Sequence, residues 1–293
     1  MSLYQAAFGF GLVSMSVIAL AAVGFTMQIG VTNIINLAYG EVMISSAYVA
    51  YFLNRHGITI WIGMVAGAAF GAIFSFLLNR LIYEPFQRKR TSHLGMVIVS
   101  LAVSLMIANL LLPIVGYFSV SYKEPSRILR FGGVVLTTSQ IAIIGLSVVV
   151  MLAIHGLLRY TRIGKAMRAT AANPMLARNC GIPTRRVIDV VWLITGALCG
   201  LAGVVAALNS DSFMIADGAA FLITALAAAV LGGAGQPYGA MVGAIVIGMV
   251  TELSAAAWSA DYKEVVAFGL LVLVMVLRPQ GLLSKRGAMA AAG

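Results

Sequence analysis

Long apolar segments separated by short polar connections run along the whole chain. A bilayer-spanning helix needs about 20 predominantly apolar residues, and nine segments approach or exceed that length. They cover approximately residues 6–29, 38–53, 60–82, 94–117, 137–158, 187–208, 218–233, 238–256 and 264–278. The second, seventh and eighth are short or rich in glycine, so a re-entrant or broken course is an alternative for each. The pattern predicts an all-α fold, a polytopic transmembrane helical bundle of eight or nine spans.

Composition agrees with a membrane protein. Hydrophobic residues make up 61% of the 293 residues and charged residues only 10%, against about 25% charged residues in a typical soluble protein. A soluble fold needs a polar surface that this composition does not supply, whereas helices in lipid expose apolar side chains. The connections are too short to bury cores of their own. We therefore expect one transmembrane domain over residues 1–293, with no soluble domain and no obvious internal repeat.

The net charge of +10 comes from clusters of basic residues in particular connections. Segments 80–93 and 159–186 and the C-terminal tail are basic, and 159–186 contains no acidic residue. This distribution is typical of membrane proteins and argues against a nucleic-acid partner. The positive-inside rule places these three segments in the cytoplasm. With nine spans, the N-terminus then lies outside.

A polar stretch between the first two apolar segments is the first candidate functional region. It runs from Gly30 to Glu41 with little hydrophilic linker, and it places Asn33, Asn36, Tyr39 and Glu41 at or near membrane depth. A carboxylate inside a membrane is costly and usually faces the bundle interior or water. These four residues are therefore candidates for the border of a translocation path.

Two interpretations of this stretch remain open from the residues alone. Gly30 and Gly40 permit a break that frees backbone groups to line a cavity, and Asn33, Asn36 and Gly40 share one face if the stretch is helical. The alternative is a polar turn at headgroup level, in which Glu41 caps a helix.

The second candidate region is the cytoplasmic loop 161–182, which is basic yet rich in alanine. Residues 166–172 favour a short helix that ends before Pro174, and Pro183 follows soon after Gly181. A short helix of small residues in a cytoplasmic loop suits docking into the groove of a partner. The alternative is an ordinary positive-inside loop.

Glycines are dense over residues 228–243. No lysine follows them in the Gly-Lys-Ser/Thr pattern, so the stretch is not a phosphate-binding P-loop. The spacing of Gly239 and Gly243 allows close helix packing, and a turn is expected at Gln236–Pro237. Farther along, Glu252 is a second candidate intramembrane carboxylate, with a position at the outer membrane interface as its alternative.

Chemistry-bearing side chains do not form a recognisable catalytic or metal-binding set in the sequence. The histidines lie on separate segments, and Cys180 and Cys199 lack metal-type spacing. The sequence therefore predicts no catalytic residue, no metal and no cofactor.

Four motifs in order resemble the branched-chain amino acid ABC transporter permeases, over nearly the whole chain. The matching residues are Asn33, Asn36, Ala38, Gly40 and Glu41; Gly164, Ala166, Arg168, Ala169, Ala177, Gly181 and Ile182; Ala229 to Gly235, Gly239 and Ala240; and Arg278, Pro279, Gly281 and Leu282. Tyr39 stands where the family often carries histidine. Related permeases for urea, short amides and other amino acids share this scaffold pattern.

The resemblance implies an importer in the bacterial plasma membrane. Such a complex contains this chain, a second and different permease chain, two cytoplasmic ATPases and an external solute-binding protein, all assembled in membrane lipid. ATP hydrolysis would then take place on the partners, in agreement with the absence of a P-loop from the sequence. The residues expected to contact the ATPase lie in the coupling loop 159–186 and are Gly164, Ala166, Arg168, Ala169 and Gly181.

Two other functions are alternatives. One is a self-sufficient secondary transporter in which Glu41 or Glu252 carries a proton or sodium ion. The other is a passive channel for a small neutral solute such as urea or an amide. The basic docking loop and the lack of a sensor domain favour the importer.

Overall fold

The computed structural model describes residues 3–89, 91–124, 128–131, 134–257, 259, 262–277 and 281. The helices in these residues are α1 (Leu3–Thr32), α2 (Tyr39–Arg55), α3 (Ile60–Leu78), α4 (Glu84–Arg88), α5 (His93–Val115), α6 (Thr138–Tyr160), α7 (Arg162–Ala172), α8 (Pro174–Asn179), α9 (Thr184–Asn209), α10 (Asp217–Gly232), α11 (Pro237–Ala257) and α12 (Lys263–Leu277). A π-helical segment, Asn79–Tyr83, joins α3 to α4. Strands β1 (Ile128–Phe131) and β2 (Val134–Thr137) form an antiparallel hairpin that the sequence did not predict.

Each of the nine apolar segments corresponds to one helix. Six helical stretches in the described residues are long and apolar enough to cross a bilayer: Ala7–Thr32, Ile60–Arg88, His93–Val115, Thr138–Tyr160, Thr184–Asn209 and Pro237–Ala257. The chain is thus a helical membrane bundle, as predicted. Helix α11 runs unbroken through its glycines over 21 residues. Helices α2 and α10 have 17 and 16 residues, so each is roughly 25 Å long, less than the ~30 Å hydrocarbon core. The number of spans stays a prediction.

Helices α1 and α9 lie at the centre of the bundle, whereas α5 and α6 expose most of their surface. Helix α1 packs against α11 and α9, and α9 also packs along α3 and α2. Glycines bring α3 and α9 together: a Cβ on Gly71 would lie only 2.8 Å from the Cα of Gly200. Small residues allow this close backbone approach, which stabilises helix pairs in membranes.

The two short helices each follow a break after a long central helix. Helix α1 leads through residues 33–38 into α2, and α9 leads through 210–216 into α10. Each break has a residue in the left-handed conformation at or near its start, with φ of 56° at Asn33 and 57° at Asp211. Of the residues that the structure describes, these are the only two other than glycine with a positive φ. The breaks are therefore built alike.

A glycine pair joins the two broken units. Gly40 and Gly218 occupy equivalent positions, seven residues after the left-handed residue of each break. A Cβ on Gly218 would lie 2.9 Å from the carbonyl oxygen of Gly40 and 3.2 Å from the side chain of Ile44. A Cβ on Gly40 would lie 3.0 Å from Leu222. Gly40 thus faces Leu222 while Ile44 faces Gly218, so α2 and α10 run in opposite directions. Two units of the same construction, each a long helix, a break and a short helix, therefore meet through antiparallel short helices, which the sequence did not reveal.

The two internal basic segments lie together at one end of the bundle, as their charge predicts. The Nε atom of Arg185 is 2.8 Å from Oε1 of Glu84, which joins segment 159–186 to segment 80–93. At the opposite end, the backbone amide of Lys123 donates a 2.8 Å hydrogen bond to the Asn54 side chain. The basic tail and its Arg278, Pro279 and Leu282 motif residues lie outside the described residues.

Candidate translocation path and coupling unit

The chain leaves α1 at Asn33, not at a glycine. Asparagine adopts the left-handed conformation more readily than most residues, and the φ of Asn33 is 56°. Gly30 stays within α1 and serves close packing instead, because a Cβ there would lie 3.0 Å from the Cα of Gly235. The chain between α1 and α2 is not helical, so Asn33, Asn36 and Gly40 do not share a helical face.

Asn36 ties the break to the end of α3. Its buried Oδ1 atom accepts hydrogen bonds from the backbone amide of Ala38, at 3.1 Å, and from the hydroxyl of Tyr83, at 2.7 Å. Tyr83 ends the π-helical segment and stacks on Trp192 of α9, with ring centroids 5.1 Å apart and an interplanar angle of 25°. Single π-helical turns often occur at functional sites. Sequence reasoning did not single out Tyr83 or Trp192.

Tyr39, the first residue of α2, points into the core between α1 and α9. Its hydroxyl donates to the Ala21 carbonyl at 3.1 Å, and its ring meets Phe25 edge-on at 5.3 Å. The thiol of Cys199 donates to the Tyr39 carbonyl at 3.2 Å. Tyr39 therefore anchors the start of α2 to the two central helices.

Glu41 is a buried carboxylate with 6% of its surface exposed. Ser104 of α5 donates to its Oε1 atom at 3.5 Å, whereas Oε2 has no hydrogen-bond partner. The carboxylate accepts no bond from a backbone amide in the part of the chain that the structure describes, so it does not cap α2. A buried carboxylate oxygen without a partner is costly, and such a group inside a membrane is a candidate functional site.

The four predicted path residues do not converge on one point. Asn33 is exposed, and the buried Asn36 is directed to the end of α3. Tyr39 reaches α1, and Glu41 reaches α5. Asn36, Tyr39 and Glu41 hold the start of α2 against the end of α3, α1 and α5, so they form an anchored hinge between α1 and α2 rather than a single binding pocket.

The predicted cytoplasmic loop contains two capped helices, α7 and α8, which we call the coupling unit. Thr161 caps α7 by accepting a bond from the Gly164 amide at 3.0 Å. Asn173 caps α8 by accepting bonds from two backbone amides of that helix, each at 3.0 Å. The helix predicted over 166–172 ends where expected, but Pro174 begins a second helix that was not predicted.

Two of the predicted coupling residues attach this unit to the bundle. Gly164 is buried against the end of α6, where a Cβ would lie 2.7 Å from the Cα of Leu158. The guanidinium of Arg168 donates to the Leu158 carbonyl. A cation at the last carbonyls of a helix is favourable because of the helix dipole. Gly164 and Arg168 thus orient α7 on α6.

The outward surface of the coupling unit is more apolar than predicted. Ala166 and Ala169 are partly buried, and Gly181 forms a turn with φ of 82° before α9. Met175 and Leu176 of α8, in contrast, are 78% and 60% exposed. Exposed apolar side chains at a polar end of a protein are typical of a partner-binding surface. The signal in the sequence was the Met-Leu pair after Pro174, within an otherwise basic loop.

An ion-pair cluster connects the start of α9 to α4. Glu84 lies 3.0 Å from Arg80, 2.7 Å from Arg88 and 2.8 Å from Arg185. Arg80 also lies 3.7 Å from Asp189 of α9. The cluster sits beside the π-helical segment that ends at Tyr83. A contiguous set of contacts therefore leads from the coupling unit, through the start of α9, to Asn36.

The sequence comparisons identify the family. The profile described as the permease component of the branched-chain amino acid transport system matches residues 7–275. The chain is 33% identical to the high-affinity branched-chain amino acid transport system permease protein LivH of Salmonella typhimurium, with 92% of each chain covered. It is 32% identical to the corresponding permease protein BraD of Pseudomonas aeruginosa, with 94% of each covered. The chain belongs to the branched-chain amino acid permease family.

A more distant relative in sequence and a solved structure are also similar to this chain. The ribose import permease protein RbsC of Escherichia coli is 23% identical, with 89% of this chain and 82% of RbsC covered. The structure of PsaBC from Streptococcus pneumoniae in complex with Fab superposes with a TM-score of 0.55 and 15% identity, covering 94% of this chain and 92% of that one. That similarity shows a shared fold.

Proposed function

We propose that this chain is a membrane subunit of an ATP-driven importer that moves branched-chain amino acids into the cytoplasm. The observation that carries the proposal is the family match over residues 7–275, together with relatives named as branched-chain amino acid permeases at 32–33% identity. The chain itself performs no catalysis. Its role is to provide half of an alternating-access path in the plasma membrane.

The proposed partners follow from the separate tasks of the subunits in such an importer. Two cytoplasmic ATPases supply energy, a second permease chain completes the path, and an external binding protein delivers the solute. The exposed Met175 and Leu176 support an ATPase contact at α8. Arg168 and Gly164 act by holding the coupling unit on α6.

A chain of contacts leads from the coupling unit, through α9 and Tyr83, to Asn36. These contacts support a route for the conformational change during transport. Movement of the coupling unit displaces the start of α9, with its Arg185 and Asp189. Trp192 and Tyr83 then move with α9 and the end of α3, and Asn36 follows through its hydrogen bond. Repacking of discrete helices in this way is a common mechanism of alternating access.

The proposed function is tested by reconstitution. The chain, its partner permease and the ATPases are placed in proteoliposomes with the binding protein, and uptake of labelled leucine, isoleucine and valine is measured with and without ATP. We expect uptake that requires both ATP and the binding protein. Uptake driven by a proton or sodium gradient without ATP would support the secondary transporter instead, and ATP-independent equilibration of urea would support the channel.

A further inference from the structure

A cavity lies away from the Asn33–Glu41 segment, between α1, α10, α11 and α12. Its volume is about 240 Å³, and its walls include Val17, Phe221, Glu252 and Lys263. Asn209 also lines it, at the point where α9 ends and the second break begins. Because that end of α9 is remote from the coupling unit, we name this space the outer cavity.

One charge of each sign lines the outer cavity. The Lys263 Nζ atom is 2.8 Å from both carboxylate oxygens of Glu252. The hydroxyl of Ser14 donates to the same carboxylate at 2.7 Å. Of the described residues that line the cavity, Glu252 and Lys263 are the only charged ones. The remaining wall combines apolar side chains, such as Val17 and Phe221, with uncharged polar ones, such as Asn209 and Thr224.

We infer that the outer cavity is a binding site for a zwitterionic amino acid with an apolar side chain. The inference rests on the proposed function, which requires such a solute to enter from this side. The α-carboxylate would meet the ammonium of Lys263, and the α-ammonium would meet the carboxylate of Glu252. Charge-assisted hydrogen bonds of this kind are stronger than those between neutral groups. The branched side chain would pack on Val17 and Phe221.

Charge balance explains why this cavity selects a zwitterion. The Glu252–Lys263 pair is neutral as a whole, so a neutral zwitterion enters without adding a net charge to a partly buried space. An anion or a cation of the same shape adds an unpaired charge, which is costly to desolvate. A neutral apolar molecule lacks the groups that would replace the existing ion pair.

The position of the cavity links it to the crossing of the two broken units. Phe221 and Thr224 belong to the first turns of α10, close to the Gly40–Gly218 crossing. A shift of α10 at that crossing changes the shape of the cavity and, at the same time, the surroundings of α2. A solute held here therefore occupies a place that the same movement opens or closes.

Binding is measured on the complete permease–ATPase complex in lipid nanodiscs, without the binding protein, by scintillation proximity with labelled leucine. The competitors are 4-methylpentanoate, which lacks the amino group, and 3-methylbutylamine, which lacks the carboxylate. We expect each competitor to bind at least about tenfold more weakly than leucine, because each lacks one of the two charge-assisted hydrogen bonds. Competition as strong as that of leucine itself would overturn the inference.

Variants separate a ligand site from an ion pair that only fastens α11 to α12. Ala220→Phe fills the cavity without touching either charge, and Ala219→Phe is its matched control, since Ala219 is exposed and does not line the cavity. We expect Ala220→Phe to abolish leucine binding and Ala219→Phe to retain it. Glu252→Gln and Lys263→Gln should each weaken binding by about tenfold. Equal leucine binding by Ala220→Phe and Ala219→Phe overturns the proposed site.

Failure of this site is distinguishable from failure of the proposed function. One outcome is that the wild-type complex imports leucine with ATP and binding protein but binds no leucine without the binding protein. That outcome overturns the outer site and leaves the proposed importer function standing. Absence of ATP-dependent uptake of any branched-chain amino acid overturns the importer, and with it the ligand class inferred for the cavity.

Discussion

The hydroxyl of Tyr83 donates a 2.7 Å hydrogen bond to the Asn36 side-chain oxygen, and both groups are buried. This bond joins the π-helical end of α3 to the break between α1 and α2. It places a polar link between the ion-pair cluster around Glu84 and the segment that we assign to the translocation path. Two predictions test that link directly.

Tyr83→Phe removes the hydroxyl while keeping the ring on Trp192. We expect a loss of about 1 kcal/mol in unfolding free energy, typical of one net hydrogen bond, and a lower rate of ATP-dependent uptake. Tyr122→Phe is the control, because the Tyr122 hydroxyl donates a comparable bond to Ala47, at 2.9 Å, away from the break. Uptake reduced equally in both variants, measured per assembled complex, would mean that the Tyr83 bond contributes stability only.

Asn36→Leu removes the acceptor and leaves the Tyr83 hydroxyl buried without a partner. We expect it to cost more than Tyr83→Phe, about 1–3 kcal/mol, since an unpaired buried donor is penalised. The double variant Asn36→Leu/Tyr83→Phe should then be no less stable than Asn36→Leu alone. Thermal unfolding of the four proteins forms a double-mutant cycle. If the losses of unfolding free energy in the two single variants add up to the loss in the double variant, the two side chains contribute to stability independently.

Glu41→Gln tests whether the buried carboxylate serves transport. One of its oxygens has no hydrogen-bond partner, so replacing the charge with a neutral amide should keep or raise the unfolding free energy. We expect uptake to fall although the complex assembles normally. Uptake at the wild-type rate by a well-assembled Glu41→Gln complex would remove Glu41 from the path.

Met175→Asp with Leu176→Asp tests the outward surface of the coupling unit. Both side chains are largely exposed, so the double variant should fold normally yet lose association with the ATPase, because charges replace apolar contacts at the centre of an interface. Met214→Asp is the control, an exposed methionine at the other end of α9. Co-purification of the ATPase measures the effect, and undiminished recovery with the double variant would move the docking site elsewhere on the chain.

Gly218→Ala tests the crossing of the two broken units. The added methyl group would lie 2.9 Å from the Gly40 carbonyl oxygen, and overpacking of this kind costs roughly 1–3 kcal/mol. Gly145→Ala in α6 is the control, since no atom lies within 4 Å of its added Cβ, and it should not lose stability. Thermal unfolding compares the two variants. If Gly218→Ala is as stable as Gly145→Ala, α2 and α10 move apart without a loss of unfolding free energy.

Local features of the structure could be predicted where they depend on neighbouring residues. Every apolar segment became a helix because a run of apolar residues in lipid must satisfy its backbone internally. The end of α7 before Pro174 followed from the restriction that proline places on the preceding residue. A break near Asn33 was one of two interpretations that the residues left open, with Gly30 and Gly40 as the glycines that permit it, and the chain leaves α1 at Asn33 instead.

Partners distant in the chain could not be predicted. The sequence by itself determined a helical membrane bundle, its basic end and where polar segments interrupt it, because hydropathy and charge act along the chain. Only the tertiary structure decided that Tyr83 binds Asn36, that Arg168 turns back to α6, and that Gly40 meets Gly218. These contacts join residues from separate segments of the chain, and which segment faces which depends on packing of whole surfaces rather than on local pattern. The similar construction of the two broken units stayed hidden for the same reason, since backbone direction and a left-handed turn define it, and both asparagine and aspartate provide that turn.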